Sequence, residues 1–421
     1  MTRGERALAI LTVAGLVIVP MIFLTGVYDY FRVIKEVAFR AEAILAVFLL
    51  GVAVAAGGTG RLRELLRDRA VMAVVAGAFL WSVITATLST NKVQSAESMI
   101  TVACSIALFI GVWFASRSMP VAVLLVLAPV ALVNAVLVAL QEYGVWNPFH
   151  FTLNEASRHL TATGFLGNPN DVGAYFALSM VMLLAVAPHL GGWQRWVAFA
   201  GSAAALAGVL VSQSRTAVIA AGVALFIFAM RKSLKAGLAI LVLIFAGLIA
   251  ASFFHIPAIT RFIELPQHAA RGDWNRLTSH RLVPFIVAVE MFRERPLAGW
   301  GPGTFKTHYM HQRLAVAEKY PAAFQQGATT MFGETHNDHL QLLAEAGIPA
   351  CALFLAALIV IGHTRRSARS DGVRAIAGNA LGLPLAAAVF VIALAFFPLQ
   401  IALTRHLLLT AAALIVGWRA S

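Results

Sequence analysis

The chain contains few charged residues and almost no cysteine. Only 12% of its 421 residues are charged and 60% are hydrophobic, whereas ordinary soluble domains carry about 25% charged residues. This composition excludes an ordinary soluble domain. The two cysteines, Cys104 and Cys351, both lie inside apolar runs, so the sequence predicts no disulfide framework.

Acidic residues are also scarce. The chain has 19 Asp and Glu against 32 Lys and Arg, which gives a formal net charge of +13. In a soluble protein this excess would indicate nucleic acid. In a membrane protein it is explained by basic cytoplasmic loops and by anionic lipids. We therefore expect membrane lipids as partners, and no nucleic acid.

Long apolar runs fill most of the chain. Runs of about 18 residues or more recur along its length, and such runs are typical of transmembrane helices. We therefore predict an all-α polytopic membrane protein with about twelve transmembrane helices. The predicted spans are residues 7–27, 41–57, 70–88, 98–115, 121–141, 170–188, 196–212, 216–230, 236–254, 346–362, 375–397 and 403–418.

Basic residues in three short loops predict the orientation of the chain. They fall within residues 61–69, 231–235 and 365–374, and twelve spans put all three loops on the side of the N-terminus. The positive-inside rule then places both termini in the cytoplasm. The predicted organisation has three parts: residues 1–254 with nine spans, residues 255–345 as a long extracytoplasmic loop containing helices, and residues 346–421 with three spans.

The long loop concentrates the polar chemistry of the chain. It holds nine Lys and Arg and seven of the twelve histidines. The positive-inside rule does not govern charges in long translocated loops, so we expect a ligand to account for them. Within the loop we predict a helix from Arg281 to Arg295, because the Arg295–Pro296 step ends it. Thr335 is predicted to cap a further helix that begins near His336.

His336 and His339 are the candidate catalytic residues. On a helix, their spacing of three places both imidazoles on one face, and a histidine of near-neutral pKa suits a general base. Asp338 or Glu334 is the candidate orienting carboxylate. The alternative interpretation is a pair of histidines hydrogen-bonded at the membrane interface, and composition does not separate the two.

A metal site is not predicted. His308 and His311 form a second pair with the same spacing, but zinc needs three or four ligands in one place. Such histidine pairs arise often by chance, so the spacing alone carries little weight. We therefore expect neither a metal nor another cofactor.

Arg215 and Arg281 are candidate ligands for an anion. Arg215 lies between two predicted spans at their extracytoplasmic end, and Arg281 opens the predicted loop helix. A guanidinium remains charged and binds phosphate through two parallel hydrogen bonds. Together with helix N-termini, two arginines would suit a pyrophosphate leaving group. The alternative is a pair of arginines whose stems simply lie along the apolar interface.

Four segments in order resemble the O-antigen ligase and polymerase superfamily. They are GNPNDVGAY (167–175), SQSRTA (212–217), Arg281 ahead of PLAGWGPGTF (296–305), and HNDHLQLLAEAGI (336–348). Their order, their spacing and the large loop before the last spans all match, so the resemblance covers most of the chain. Within the superfamily the chain is most similar to an O-antigen ligase of a Gram-negative bacterium, and Tyr28 and Asp29 followed by Lys35 fit the same family.

The resemblance implies a GT-C-type glycosyltransferase of the bacterial inner membrane, with its active site on the periplasmic face. The donor would be a glycan on undecaprenyl pyrophosphate and the acceptor a sugar hydroxyl of lipid A–core, in lipopolysaccharide biosynthesis. The transfer would be metal-independent and would invert the anomeric centre.

The same resemblance implies roles for individual residues. It assigns the pyrophosphate to Arg215 and Arg281, the general base to the motif containing His336 and His339, and supporting roles to Lys35 and Asp338. A deeper position in the membrane favours His339 as the base. Motifs of this family usually begin with the first histidine, which favours His336 as the base.

Two alternative functions remain open at this stage. An O-antigen polymerase or a protein O-oligosaccharyltransferase would use the same donor with another acceptor, and an acceptor-swap assay would separate them. A twelve-span secondary transporter would fit the span count. It is disfavoured because the charges cluster in one outer loop rather than at mid-membrane, and no internal pseudo-symmetry is visible.

Overall fold

A computed structural model describes residues 3–25, 29–149, 162–253, 262, 264–325, 331–363 and 372–419. Those residues form helices and connecting turns, without strands. Tyr28, residues 255–261, 263 and 326–330 of the predicted loop, and the basic residues 365–369 lie outside the described residues. The three-part division of the chain therefore stays a prediction.

The long helices follow the predicted spans in order. They are α1 (Arg3–Met21), α2 (Arg32–Ala53), α3 (Thr59–Arg67), α4 (Arg69–Thr87), α5 (Lys92–Ser116), α6 (Leu127–Glu142), α7 (Pro169–Val186), α8 (Gly192–Val211), α9 (Arg215–Lys232) and α10 (Leu234–Phe253). The polar segment then contributes α11 (Leu265–Ala270), α12 (Trp274–Leu277), α13 (Leu282–Glu294), α14 (Phe305–Lys319) and α15 (Pro321–Gln325). The chain ends with α16 (Asp338–Gly362), α17 (Val373–Ala395) and α18 (Ala402–Arg419).

The class of membrane protein is confirmed, whereas the number of spans is not. Within the described residues, nine helical runs are long and apolar enough to cross a membrane. They are formed by α1, α2 continued by α3, α4, α5, α6 with the turn before it, α7, α8, α16 and α17. The other three predicted spans coincide with α9, α10 and α18, so the count of twelve stays a prediction.

The centre of the helix bundle is α7, the most deeply buried of the nine runs. It packs against α8 and α9 on one side and against α17 and α18 on the other. Gly173 allows one close approach, because a Cβ on it would lie 2.6 Å from the Cβ of Ser214, just before α9. Small residues at helix interfaces let the backbones approach closely in this way. Such packing stabilises helix pairs in lipid, where the hydrophobic effect does not drive their association.

The polar segment forms a small apolar core of its own on one end of the bundle, which we call the loop end. The predicted helix from Arg281 is confirmed as α13, and it packs against α14 and the first turns of α16. The buried members of this core are Val283, Val287, Ala288, Met291, Phe305, Tyr309, Val316 and Ala344. The loop is therefore an ordered cap on the bundle.

A kink in α16 fixes this cap to the membrane helices. Gly347 has φ 71°, which interrupts the helical ladder and leaves carbonyls without their usual partners. Three groups donate to those carbonyls: Trp300 N to Ala344 O (3.0 Å), Gly301 N to Glu345 O (2.8 Å) and Trp81 Nε1 to Ala346 O (2.8 Å). The segments PLAGWGPGTF and LLAEAGI thus dock onto one another through their backbones.

Candidate active site

The motifs recognised in the sequence converge at the loop end. The first link joins the start of α7 to the turn before α9. Asn168 caps α7 by accepting a hydrogen bond from Asn170 N (2.8 Å), and Ser214 Oγ donates to Asn170 Oδ1 (3.3 Å). Gly173 faces the same turn, so GNPNDVGAY packs directly against SQSRTA.

A second link is an ion pair that the sequence analysis missed. Arg32, the first residue of α2, donates from Nε and Nη2 to the two carboxylate oxygens of Asp171, both at 3.2 Å. The Asp171 side chain is fully buried. An acid at the start of an apolar run needs a partner when it is buried. Asp171 was therefore the feature of the sequence that could have indicated an ion pair. Its partner could not be named because it lies 139 residues away.

Arg215 and Arg281 lie close together. Arg215 donates to the hydroxyl of Ser279, two residues before Arg281. Arg281 Nη1 donates to Ala395 O (2.5 Å) at the end of α17. Burial, and then the charge of Arg215, lowers the pKa of Arg281 to about 10. The Arg281 guanidinium still keeps its proton at neutral pH, so this corner of the site holds concentrated positive charge.

His336 lies beside this positive charge. Burial lowers its pKa to about 3, and the charges of Arg281 and Arg32 contribute further. The imidazole packs edge-on against Phe397, with ring centroids 4.6 Å apart. The Arg32 guanidinium also lies over the Phe397 ring, 5.4 Å from its centroid. His336 Nδ1 is buried and has no hydrogen-bond partner among the described residues.

Backbone strain marks the same residues. Among the described residues, four non-glycine residues have positive φ: Gln213 (55°), Ser279 (56°), His280 (61°) and His336 (56°). Left-handed backbone in non-glycine residues costs roughly 1–3 kcal/mol each and tends to occur at functional sites. Gln213 lies two residues before Arg215, the next two come just before Arg281, and the fourth is the candidate base. Strain is therefore concentrated where the arginines and the histidine are held.

The structure separates the two histidines. The helix α16 begins at Asp338 with Asn337 as its cap, since Asn337 Oδ1 accepts from Leu340 N (3.0 Å). The prediction of a Thr335 cap and a shared helix face for His336 and His339 is therefore wrong, because His336 precedes the helix. The His339 ring lies among apolar rings instead, 5.0 Å from Phe390 and 5.4 Å from Phe354.

Asp338 contacts the α17–α18 connection. Its Oδ2 accepts a hydrogen bond from Leu399 N (2.8 Å), and its own backbone N donates to Phe396 O (3.3 Å). Asn337 Nδ2 also donates to Leu394 O (2.7 Å). These contacts hold the segment that carries Phe397, the ring packed against His336, at the start of α16.

Lys35 is also placed away from the arginines. Its side chain is buried, and Nζ donates to Ile22 O (2.6 Å) and Pro20 O (3.4 Å). Carbonyls at the end of a helix lack intrahelical partners and attract a cation. Lys35 therefore joins the end of α1 to the start of α2.

The second histidine pair has other contacts. His308 Nε2 lies 2.7 Å from Thr90 Oγ1, and its ring is 4.7 Å from that of Trp300. Across the described residues, no three His, Cys, Asp or Glu side chains come together as metal ligands. His308 thus contributes to the docking of the loop on α4 and α5.

A cavity of about 850 Å³ opens next to this cluster. Arg32 and Glu334 line its end nearest the loop, whereas Arg215, Arg281 and His336 lie outside its lining. From there it runs between α2, α4 and α5 on one side and α16, α17 and α18 on the other. Its walls become apolar towards Ile361 and Val416, near the opposite end of the bundle.

The fold and the site together define a class of protein: a polytopic helical membrane protein with a cationic, histidine-containing site at one end of its bundle. A family model described as O-antigen ligase matches residues 200–355, a range that includes Arg215, Arg281, His336 and His339. The match supports the assignment of the chain to the O-antigen ligase family, as the ordered motifs predicted. No curated protein matches the chain. Members of this family are glycosyltransferase-type ligases and polymerases, which supports an enzymatic role.

Proposed function

We propose that the protein is an O-antigen ligase of the bacterial inner membrane. It transfers a glycan from undecaprenyl pyrophosphate to a sugar hydroxyl of lipid A–core, on the periplasmic face, by an inverting and metal-independent reaction of the GT-C type. The observation that carries the proposal is the neutral His336 held beside Arg281, which in turn lies next to Arg215. Such an arrangement offers a proton acceptor and an anion clamp within one site.

The arginine pair supports a pyrophosphate leaving group. As the bond between the anomeric carbon and the pyrophosphate oxygen breaks, negative charge grows on that oxygen. Arg281 has no ion-pair partner among the described residues, so its charge is available to a substrate anion. Preorganised cations stabilise such developing charge more than mobile water does. Because guanidinium groups hold their protons near neutral pH, they can neutralise the leaving group without a metal.

His336 supports the proton transfer. The acceptor hydroxyl attacks the anomeric carbon from the face opposite the pyrophosphate, and its proton passes to the His336 imidazole. With no donor bound, burial first and then the charges of Arg281 and Arg32 make His336 a weak base, with a pKa of about 3. A bound pyrophosphate would offset their charge and raise that pKa. The base therefore strengthens when the donor is in place.

The contacts favour His336 over His339 as this base. His336 interacts electrostatically with Arg281 and Arg32, whereas the contacts of the His339 ring are with Phe354 and Phe390. We therefore assign His336 the chemical role. His339 is assigned a packing role between α16 and α17.

The test compares His336→Ala, His339→Ala and Arg281→Ala enzymes in a transfer assay with a polyprenyl-pyrophosphate glycan. General-base catalysis contributes about 10²–10⁴-fold in rate, so His336→Ala should lower kcat by that factor and His339→Ala by much less. Arg281→Ala should weaken use of the donor. Full activity of His336→Ala would reject the general-base role, and loss of wild-type activity in chelator would reject a metal-independent reaction.

The choice of acceptor is tested in the same assay. Lipid A–core, a second donor molecule and a protein are offered together as rival acceptors. Transfer to lipid A–core supports the ligase. Preference for the second donor or for the protein would instead identify a polymerase or a protein O-oligosaccharyltransferase.

A further inference from the structure

The cavity beside Arg32 differs in charge from the arginine corner. Its lining balances in formal charge: four cations stand against four acids, namely Arg32, Arg40, Lys306 and Arg405 against Glu36, Glu97, Glu334 and Glu345. Arg32 pairs with Asp171 behind the wall, and Lys306 Nζ lies 3.9 Å from Glu97. Deeper in, Arg405 and Arg40 both pair with Glu36, the latter at 2.9 Å. A charge-balanced wall rich in hydrogen-bonding groups does not attract a pyrophosphate. It suits a headgroup that offers hydroxyls.

The shape of the cavity suits a lipid. Below its polar end, the walls contributed by α4, α16 and α18 are almost wholly apolar and extend along most of the bundle to Val71 and Val416. About 850 Å³ of space with one polar end and a long apolar remainder can take a sugar at the loop end and one acyl chain of a glycolipid below it, while its other chains stay in the bilayer.

Glu334 is the group that connects this cavity to the candidate base. It lines the polar end of the cavity and precedes His336 by two residues. Among the described residues it makes no hydrogen bond and no close ion pair, although the charges of Arg32 and Lys306 act on it from a distance. Its side chain is half-buried and lines the cavity, so its carboxylate oxygens can accept a hydrogen bond from a ligand there.

We propose that this cavity binds the acceptor glycolipid, and that Glu334 orients the attacking hydroxyl by accepting its hydrogen bond before the proton passes to His336. The inference rests on the proposed function. The site then has two halves: the donor pyrophosphate at Arg215 and Arg281, and the acceptor sugar at Arg32 and Glu334. His336 and Phe397 lie between them. Glu334 is a positioning residue, and the proton ends on His336.

The occupant of the cavity is tested by filling it. Ala78 of α4 lines the cavity, whereas Ala73 on the same helix is exposed outside the lining. Binding of purified lipid A–core and of undecaprenyl pyrophosphate is measured by native mass spectrometry. Ala78→Trp should weaken lipid A–core binding at least tenfold and leave undecaprenyl pyrophosphate binding unchanged, and the matched control Ala73→Trp should change neither. Unchanged lipid A–core binding in Ala78→Trp, or weakened binding of undecaprenyl pyrophosphate alone, would overturn the inference.

The role of Glu334 is tested by kinetics. Glu334→Gln should raise KM for the lipid A–core acceptor at least tenfold while KM for the glycan donor stays within twofold, and Glu334→Asp should recover part of the loss. Equal effects on both KM values would indicate a merely structural role. If wild-type protein binds lipid A–core in the cavity but transfers no glycan to it, the proposed function fails and the binding site stands. If the wild-type protein transfers glycan to lipid A–core but Ala78→Trp leaves lipid A–core binding unchanged, the proposed function stands and the cavity is not the acceptor site.

Discussion

At the scale of single residues, the chemistry depends on how charges shift the proton affinity of one imidazole. Burial and two arginines hold the pKa of His336 at about 3, far below the ordinary value of about 6.5. Because part of this shift comes from the arginines, an anion in the arginine corner would raise the proton affinity of His336. In the proposed mechanism, this coupling would keep the base weak until the donor is present.

The coupling predicts two pKa values for one residue. Histidine titration by nitrogen NMR in lipid nanodiscs should give His336 a low pKa in the free enzyme and a value at least one unit higher with undecaprenyl pyrophosphate bound. Its sign follows from charge: an anion next to the arginines favours the imidazolium. Arg281→Ala should raise the free-enzyme value and shrink the difference. Identical values with and without the lipid would contradict the mechanism.

The Arg32–Asp171 pair is expected to matter for folding as well as for the site. The Asp171 side chain is fully buried and that of Arg32 is 34% exposed. Removing one partner of such a pair leaves an uncompensated charge and destabilises by about 3–5 kcal/mol, so Arg32→Met should lower the unfolding temperature markedly. The double variant Arg32→Met with Asp171→Leu should recover most of that loss. A single variant as stable as the wild type would show that the pair is not desolvated.

At the scale of helices, sequence and structure agree where the signal is local. Run length and hydropathy suffice to find α1, α2, α4 to α10 and α16 to α18, whereas α3 lies in the predicted basic loop. The Arg295–Pro296 step marks the end of α13. The failures involve tertiary contacts. The sequence predicts that His336 is helical. In the structure Asn337 caps α16 after it, and the His336 backbone has φ 56°. The sequence analysis does not single out Arg32, because its partner Asp171 lies 139 residues away.

The kink at Gly347 allows a direct test of how the loop docks onto α16. A Cβ at Gly347 would lie 2.0 Å from Leu297 O, and its φ of 71° is unfavourable for other residues. Gly347→Ala should therefore release the PLAGWGPGTF segment, destabilise by at least about 1–3 kcal/mol, and expose α13 and α14 to protease. Gly362→Ala on the same helix meets only ordinary contacts from 3.5 Å and is the matched control. Equal protease resistance in both variants would show that the kink is not required for docking.

At the scale of the whole molecule, the loop end gathers the starts of α2, α7, α9, α16 and α18, so charges carried by distant parts of the chain come together there. This convergence explains why ordered motifs, spread over more than a hundred residues, predict one site. In the proposed function, the depth of the cavity would let a lipid-linked substrate reach the site from the membrane.

The orientation of the whole bundle in the membrane can be tested by labelling. Positive-inside bias puts the basic turn at residues 61–69 in the cytoplasm and the polar cap in the periplasm. Gln267 on α11 is exposed in the cap, and Gly60 on α3 meets no atom within 4 Å of a built Cβ. In intact cells with a permeabilised outer membrane, a membrane-impermeant maleimide should label Gln267→Cys. It should label Gly60→Cys only after lysis. The parent protein, with Cys104 buried and Cys351 half-buried in helices, serves as the background control. Labelling in the reverse order would place the cap in the cytoplasm, out of reach of a periplasmic acceptor.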